Sequence, residues 1–373
     1  MKCYIGTYYK YNNYGTRLQN FALSSVLKSN DIEPVTIYLK DSLSFKMILK
    51  KIAKQLYVYL PVFSEKKKIL LNETKKNKIF NEFNKNLNLL QIKSNDLNNL
   101  EMTNSFCIAG SDQIWSPTHL KNNMQDINLF FFDFAPYEKR FAFAPSFGVD
   151  EIPKELRELY TKKLNGFKKL SVRENKGKEI ILSLINKDVP IMPDPVFLLT
   201  KEEWKQSISY NNNFNIKKPY LLTYFLGVPN DDVIKEIKKV CEIYNYQHIN
   251  ISGNHYNEFD IIPNPIEFVG LIDEADFVIT DSFHASAFSI IMETNFVVLK
   301  RTDVKQFSRI ETLLKKYNAE TCYMELKDIS NLRNQILKTS HINREKLYLE
   351  RERGLKFISE IIKEGGTFCE RKI

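Results

Sequence analysis

The stretch Asp276-Phe277-Val278-Ile279-Thr280-Asp281-Ser282-Phe283-His284-Ala285-Ser286 carries the chain's strongest chemical signal. An apolar run of the buried-strand type ends in Asp281 and Ser282, and a helical pattern begins there with His284 in its first turn. The opening turn of a helix leaves backbone N–H groups free and carries the positive end of the dipole, so it favours an anion. Ser282, Ala285 and Ser286 are expected beside that anion, with Asp281 at the strand end. The dipole disfavours an imidazolium in the empty site. A bound phosphate or carboxylate reverses this and makes His284 a proton donor. A lone histidine is more often structural; the strand-end, helix-start setting favours chemistry here.

Three further strand ends are rich in polar groups. In the stretch from Thr7 to Leu23, a turn with Asn13 and Gly15 precedes a helix bearing Arg17 and Gln19, a setting for an anion or sugar hydroxyls. In Ala109-Gly110-Ser111-Asp112-Gln113-Ile114-Trp115, Ser111, Asp112 and Gln113 could bind hydroxyls and Trp115 offers a stacking face. The competing readings are an ordinary helix cap and a core tryptophan. In Ser171-Val172-Arg173-Glu174, Arg173 is placed to grip a carboxylate or phosphate with two parallel hydrogen bonds, against the plainer reading of a surface ion pair. Asp194, between Pro193 and Pro195, is either ligand-facing or a turn residue.

These stretches need an α/β scaffold. Short apolar runs are expected as strands over 2–7, 34–39, 106–109, 141–144, 169–172 and 189–192. Helical spacing over 16–28, 43–60, 66–90, 154–167 and 175–186 separates them. The alternation predicts a mostly parallel, doubly wound sheet. A polar run over 210–218 reads as a linker. Alternation then restarts, with strands over 220–226, 248–252, 277–280 and 296–299 and helices over 231–244, 282–293 and 309–317. The fold expected is α/β with two Rossmann-like domains facing across a cleft, 1–210 and 219–340, and a final helix in 341–373 packing back on the first.

Composition narrows the class. With 373 residues and 43% hydrophobic content, two domains are the better expectation. A net charge of +9 favours anionic partners, although a lysine-rich solvated surface accounts for it equally well. Cys3, Cys107, Cys241, Cys322 and Cys369 are scattered and odd in number, which argues against a disulfide framework and for a reducing cytoplasm. No run approaches the roughly 20 apolar residues of a membrane span, and the N-terminus lacks a signal-peptide pattern. Phe45, Ile48, Ile52, Leu56 and Leu60 recur at helical spacing among lysines that include Lys50 and Lys51. That basic amphipathic helix suits the anionic inner face of a membrane, or packs as an ordinary surface helix.

Several chemistries are disfavoured. His119, His248, His255, His284 and His341 have no ligand spacing, so no metal is expected. There is no phosphate-loop or dinucleotide fingerprint. No nucleic-acid motif is present, and no nucleic-acid partner is expected.

In order along the chain, Asn13-Tyr14-Gly15-Thr16-Arg17-Leu18-Gln19-Asn20, Ala109 to Trp115, Ala144-Pro145-Ser146-Phe147-Gly148, Ser171 to Glu174, Asp194-Pro195, Thr280 to Ser286 and Ser308-Arg309-Ile310 resemble the polysaccharide pyruvyl transferase family. The resemblance implies a glycosyltransferase-B-like fold with the site between its domains. It implies transfer of pyruvate from phosphoenolpyruvate, with no further cofactor, onto two hydroxyls of a sugar acceptor, lipid-linked or in a glycan such as a capsule or exopolysaccharide. It carries catalytic roles to His284 and Arg173. Ala285-Ser286 stand where many relatives read Gly-Thr, and Pro145 where Ala is usual.

The residue chemistry agrees with that reaction. His284 would protonate the enol carbon; Arg173, Arg309 and the helix start before Ala285 would hold carboxylate and phosphate. Trp115, Asp112 and Gln19 are the expected acceptor contacts. A nucleotide-sugar glycosyltransferase of the same fold is the alternative enzyme, and a non-catalytic basic binding module the alternative class.

Overall fold

The computed structural model describes residues 1–9, 12–40, 65–122, 125–208, 214–251, 261–300, 308–336 and 342–366. Among the described residues, ten strands form two five-stranded parallel sheets. The first has the order β3-β2-β1-β4-β5, from β1 (Lys2–Gly6), β2 (Glu33–Leu39), β3 (Leu89–Ile92), β4 (Ser105–Ala109) and β5 (Arg140–Ala142). The second has the order β10-β9-β8-β6-β7, from β6 (Tyr220–Tyr224), β7 (Gln247–Ile251), β8 (Phe277–Thr280), β9 (Phe296–Leu299) and β10 (Tyr323–Met324). The helices that matter for the site are α1 (Tyr14–Lys28), α2 (Glu65–Phe83), α3 (Asn175–Ile185), α4 (Asp231–Tyr244), α5 (Pro265–Glu274), α6 (Phe283–Met292), α7 (Ser308–Lys316) and α8 (Arg344–Gly366).

Both sheets are covered on both faces, which is why their strands read as near-continuous apolar runs. In the first, Cys3, Ile5, Phe106 and Ile108 pack with Leu23 and Val26 of α1 and Phe357, Ile358 and Ile361 of α8. Tyr4, Cys107, Ala109 and Ala142 face the other way, into a cluster around Trp115, Phe131 and Tyr160. In the second, Leu221, Ile279 and Val297 pack with Val233, Ile237 and Val240 of α4. Leu222, Val278 and Val298 join a core that also takes Tyr14 and Leu18 of α1, Phe80 of α2, and Trp204. That core ties the two halves together. Tyr14 lies flat on Phe268, with ring centroids 4.5 Å apart.

The expected parallel, doubly wound architecture is present, with local differences. Residues 169–172 and 189–192 are not strands; they make the single bridges Phe141↔Lys169 and Val172↔Ile191 beyond β5. Pro190 and Pro193 have no N–H to continue a ladder there. The helix expected over 66–90 stops at Phe83, and Leu89–Ile92 pairs with β2 instead. Asn86 donates its side-chain amide to the Phe83 carbonyl at the break, a local bond that competes with helix. Helix α5 was not expected, yet Asn264 and Glu267 form a capping box at its start, a legible signal. The basic helix expected over 43–60, with Lys50 and Lys51, lies outside the described residues, as do residues 210–213 of the linker. Among the described residues, no helix is long and apolar enough to cross a membrane.

Candidate active site

Each sheet reverses direction at one point. Successive crossovers leave β1 toward β2 but reach β4 on its other side; β6 and β8 repeat this in the second sheet. Ligands in such sheets sit beyond the strand ends at this reversal. The loops after β1, β4 and β8 are those that the polar motifs occupy.

In the first sheet, Gln19 is a buried brace. Its amide donates to Thr7 Oγ1 at 2.8 Å, and its oxygen accepts the Ser111 N–H at 3.0 Å. Thr16 donates its hydroxyl to Asp112 Oδ2 at 2.8 Å. Asp112 has φ +70°, the left-handed region, which turns the chain sharply after β4. Asn13 caps α1 by accepting the Thr16 N–H at 3.2 Å.

In the second sheet, Asp281 accepts the N–H groups of Leu226 at 2.6 Å and Gly227 at 2.9 Å, fixing the loop after β6. Ser282 caps α6 through Ala285 N–H at 3.4 Å, and Ser286 donates back to the Ser282 carbonyl at 2.9 Å. His284 follows in the first turn, buried and turned toward the first domain.

The two halves meet at Asp194. Its Oδ2 accepts from Arg173 Nη1, lies 3.2 Å from the Ser111 hydroxyl, and stands 3.6 Å from His284 Nε2. Its Oδ1 accepts the Val196 N–H at 3.2 Å. The Arg173 guanidinium also lies over the Phe283 ring, 4.6 Å from its centroid, a cation–π contact from one domain to the other. Arg173 Nη2 is 3.7 Å from Asp112 Oδ1, and Nε is 3.9 Å from Glu174 Oε2. Among the described residues, none of Arg173 Nε, Arg173 Nη2, Glu174 Oε2 and His284 Nε2 has a hydrogen-bond partner, although each atom is buried. Buried polar atoms are normally satisfied, so a cluster of orphans marks a place for a ligand.

Charge at this cluster is strongly coupled. Burial works against the charge on Arg173, but Asp194, Asp112 and Glu174 outweigh it and hold the guanidinium's pKa above its usual value. Burial would raise Asp194, yet Arg173 and His284 bring it well below the carboxylate range. Asp112 is lowered in the same way, against burial, by Arg173 and His284. Glu174 goes up: burial dominates, and Arg173, Arg309 and hydrogen bonds from Ser146 and Phe147 offset only part of it. Burial and the neighbouring Arg173 push Arg309 down to about 10.

The structure thus brings His284, Arg173, Asp112 and Arg309 into one cleft. Several expected contacts lie elsewhere. Trp115 is a correction: it is fully buried, stacked 5.4 Å from Phe131, with its indole N–H donated to the Phe130 carbonyl at 3.3 Å. A ring enclosed on all sides cannot stack on a sugar. Gln19 and Asp281 brace backbone turns instead of facing the cleft. Arg17 donates Nε to Asn84 at 2.8 Å, with Tyr9 and Phe80 against its guanidinium. Its Nη1 has no hydrogen-bond partner among the described residues. Gln113 meets Arg309 when its amide oxygen faces that residue. Gly15 lies against His284. Asp194, named in the sequence without a role, is the hub. The signal for it was an aspartate locked between two prolines. Glu174 and Thr16 had no distinguishing signal. Among the described residues, no cluster of His, Cys, Asp or Glu could hold a metal ion.

Comparison with solved structures shows the glycosyltransferase-B type of fold. The MnaA–UDP complex from S. aureus superposes with a TM-score of 0.50 at 11% identity, covering 97% of this chain and 96% of that one. UDP-GlcNAc 2-epimerase from Neisseria meningitidis, bound to UDP-GlcNAc, gives 0.47 at 12% identity, covering 98% and 100%. At such identities the likeness is one of fold. No curated protein sequence matches the chain. The family model for polysaccharide pyruvyl transferase matches residues 13–303, a span that contains Asp112, Arg173, Asp194 and His284 and ends just before Arg309, and the chain belongs to that family.

Proposed function

We propose that this protein moves pyruvate from phosphoenolpyruvate onto two hydroxyls of one sugar, giving a cyclic ketal and inorganic phosphate. The observation that carries the reading is the set of buried groups on Arg173 and His284, unpartnered among the described residues, around Asp194 where the two sheets' reversal points meet. Phosphoenolpyruvate presents a carboxylate and a phosphate to such a site, and two arginines suit it.

The steps follow from the residues. His284 donates a proton to the methylene carbon of the donor, and the central carbon becomes electrophilic. A sugar hydroxyl adds to it, and its proton leaves for the site. The C–O bond to phosphate then breaks, with the phosphate taking one proton. The second hydroxyl closes the ring on the same carbon and returns a proton to the general acid. Two O–H bonds are lost; one C–H and one phosphate O–H are gained, and the second proton replaces the one His284 gave. Arg173 and Arg309 stabilise the donor's negative charge while phosphate departs.

The acceptor is proposed to be a sugar in a glycan or on a lipid carrier, with reaction on the cytoplasmic side. The four described cysteines are free thiols, which suits a reducing compartment. Contact of segment 43–60 with anionic lipid would serve a lipid-linked acceptor. Glutamate at Lys50, Lys51 and Lys54 should then abolish binding to anionic vesicles.

The test is incubation with phosphoenolpyruvate and a panel of sugar acceptors. Phosphate release with a product heavier by one pyruvate less one water supports the reading. Turnover with a nucleotide sugar and none with phosphoenolpyruvate rejects it.

A further inference from the structure

We infer that Gln113 is a positioning residue: it holds Arg309 across the cleft with a neutral amide, and so leaves the Arg173–Arg309 pair able to receive a dianionic phosphate monoester. The inference deepens the proposed function and rests on it for the identity of that ester as phosphoenolpyruvate.

Gln113 follows β4 in the first domain, and Arg309 opens α7 in the second. With its amide oxygen turned to the arginine, Gln113 accepts from Nη1 at 2.8 Å, Nη2 at 2.6 Å and Nε at 3.3 Å. The opposite orientation would set its NH2 group against three N–H donors, so the partners fix the assignment. The amide is seated by a shaped loop. Gly148 has φ +61°, and a Cβ there would stand 2.9 Å from Gln113 Cδ. The Gly148 N–H donates to Ser146 Oγ at 3.2 Å, and that hydroxyl donates to Glu174 at 2.8 Å.

The two arginines are held in different ways. Arg173 meets the Asp194 carboxylate directly, so part of its charge is already answered. Among the described residues, no carboxylate makes an ion pair with Arg309; Glu174, Asp112 and Asp194 act on it only at longer range. A carboxylate at position 113 would orient the guanidinium as well as an amide does, but it would occupy the charge. A neutral acceptor fixes the geometry and keeps the charge for a ligand. Burial and Arg173 oppose this second positive charge, Glu174, Asp112 and Asp194 offset only part of that, and a bound dianion would offset more. The structure therefore has a reason to hold Arg309 in place and a reason not to neutralise it.

The experiment is calorimetric titration of the full chain with inorganic phosphate and with phosphoenolpyruvate. The proteins are wild type, Gln113→Glu, Gln113→Ala, Arg309→Ala and the Gln113→Ala/Arg309→Ala double variant. Gln113→Glu should bind both anions at least about tenfold more weakly, because the new carboxylate takes Arg309's charge. A merely structural residue would tolerate that near-isosteric change. Gln113→Ala should weaken binding in the wild-type background and add nothing once Arg309 is gone, as expected of a residue acting through another. Wild-type affinity in Gln113→Glu overturns the inference, and so does equal weakening by Gln113→Ala with and without Arg309. If Gln113→Glu fails to fold, the alanine cycle decides. Gln113-dependent binding of phosphate without binding of phosphoenolpyruvate supports the inference and removes the donor assignment. Wild type that binds neither anion overturns it.

Discussion

The backbone of Gly15 lies directly against the imidazole of His284: a methyl group built on Gly15 would sit 2.0 Å from Nδ1 and 2.1 Å from Cγ. Gly15 belongs to α1 of the first domain and His284 to α6 of the second, so this contact joins the two domains at the site. Any side chain at position 15 must displace the imidazole or part the domains. Gly15→Ala is therefore expected to lower kcat about 100-fold, the scale of a misplacement near 1 Å, while overpacking costs only about 1–3 kcal/mol and leaves the chain folded. Steady-state kinetics beside a thermal melt check this. A Gly15→Ala enzyme as fast as wild type would show that this contact is not the working one.

Asp194 answers a buried cation, and its removal leaves Arg173 without its nearest counter-charge. Asp194→Asn is expected to cost about 3–5 kcal/mol at neutral pH, the scale for breaking one side of a buried pair. The pH dependence has a definite sign. The folded-state pKa of Asp194 is depressed below its ordinary 3.8, so the unfolded chain binds the proton more readily. Its stabilisation is fully present above the ordinary value and is lost as pH falls through the lower folded value. Denaturant unfolding of both proteins should show their stability gap narrowing only below about pH 4. A gap constant down to pH 2 would contradict the pairing.

Trp115 separates a core role from a ligand role. Trp115→Phe keeps a ring against Phe131 and is expected to retain activity and acceptor KM within about threefold, while Trp115→Ala costs about 3–5 kcal/mol of stability. Unfolding curves and acceptor kinetics on the two variants test this. A large rise in acceptor KM for Trp115→Phe, with stability unchanged, would put the indole back in the binding cleft.

Much of the architecture was legible because the strands are buried on both faces. Phe277–Thr280 and Asp231–Tyr244 fall where apolar runs and helical spacing put them. The site was legible at the level of strand ends, since a doubly wound sheet delivers its loops to one edge. Side-chain roles were less so. Gln19 braces Ser111, 92 positions away, and Gln113 reaches Arg309 in the other domain. Local patterns carry no information about such partners. Trp115 looked like a sugar platform because it follows polar residues, yet its neighbours Phe131, Phe147 and Phe167 arrive from distant segments and enclose it. Leu89 and Leu90 continue a helical apolar spacing, and tertiary pairing of Leu89–Ile92 with β2 overrides it.

The central claim is that this cleft protonates phosphoenolpyruvate at its methylene carbon and joins the resulting pyruvyl group to a sugar. The most direct measurement is the mass spectrum of the product formed in D2O from phosphoenolpyruvate and a competent acceptor. A pyruvate ketal whose methyl group carries one solvent deuterium is expected, formed by wild type and not by His284→Gln. A ketal with no deuterium in its methyl group, or one made equally well by His284→Gln, would contradict it.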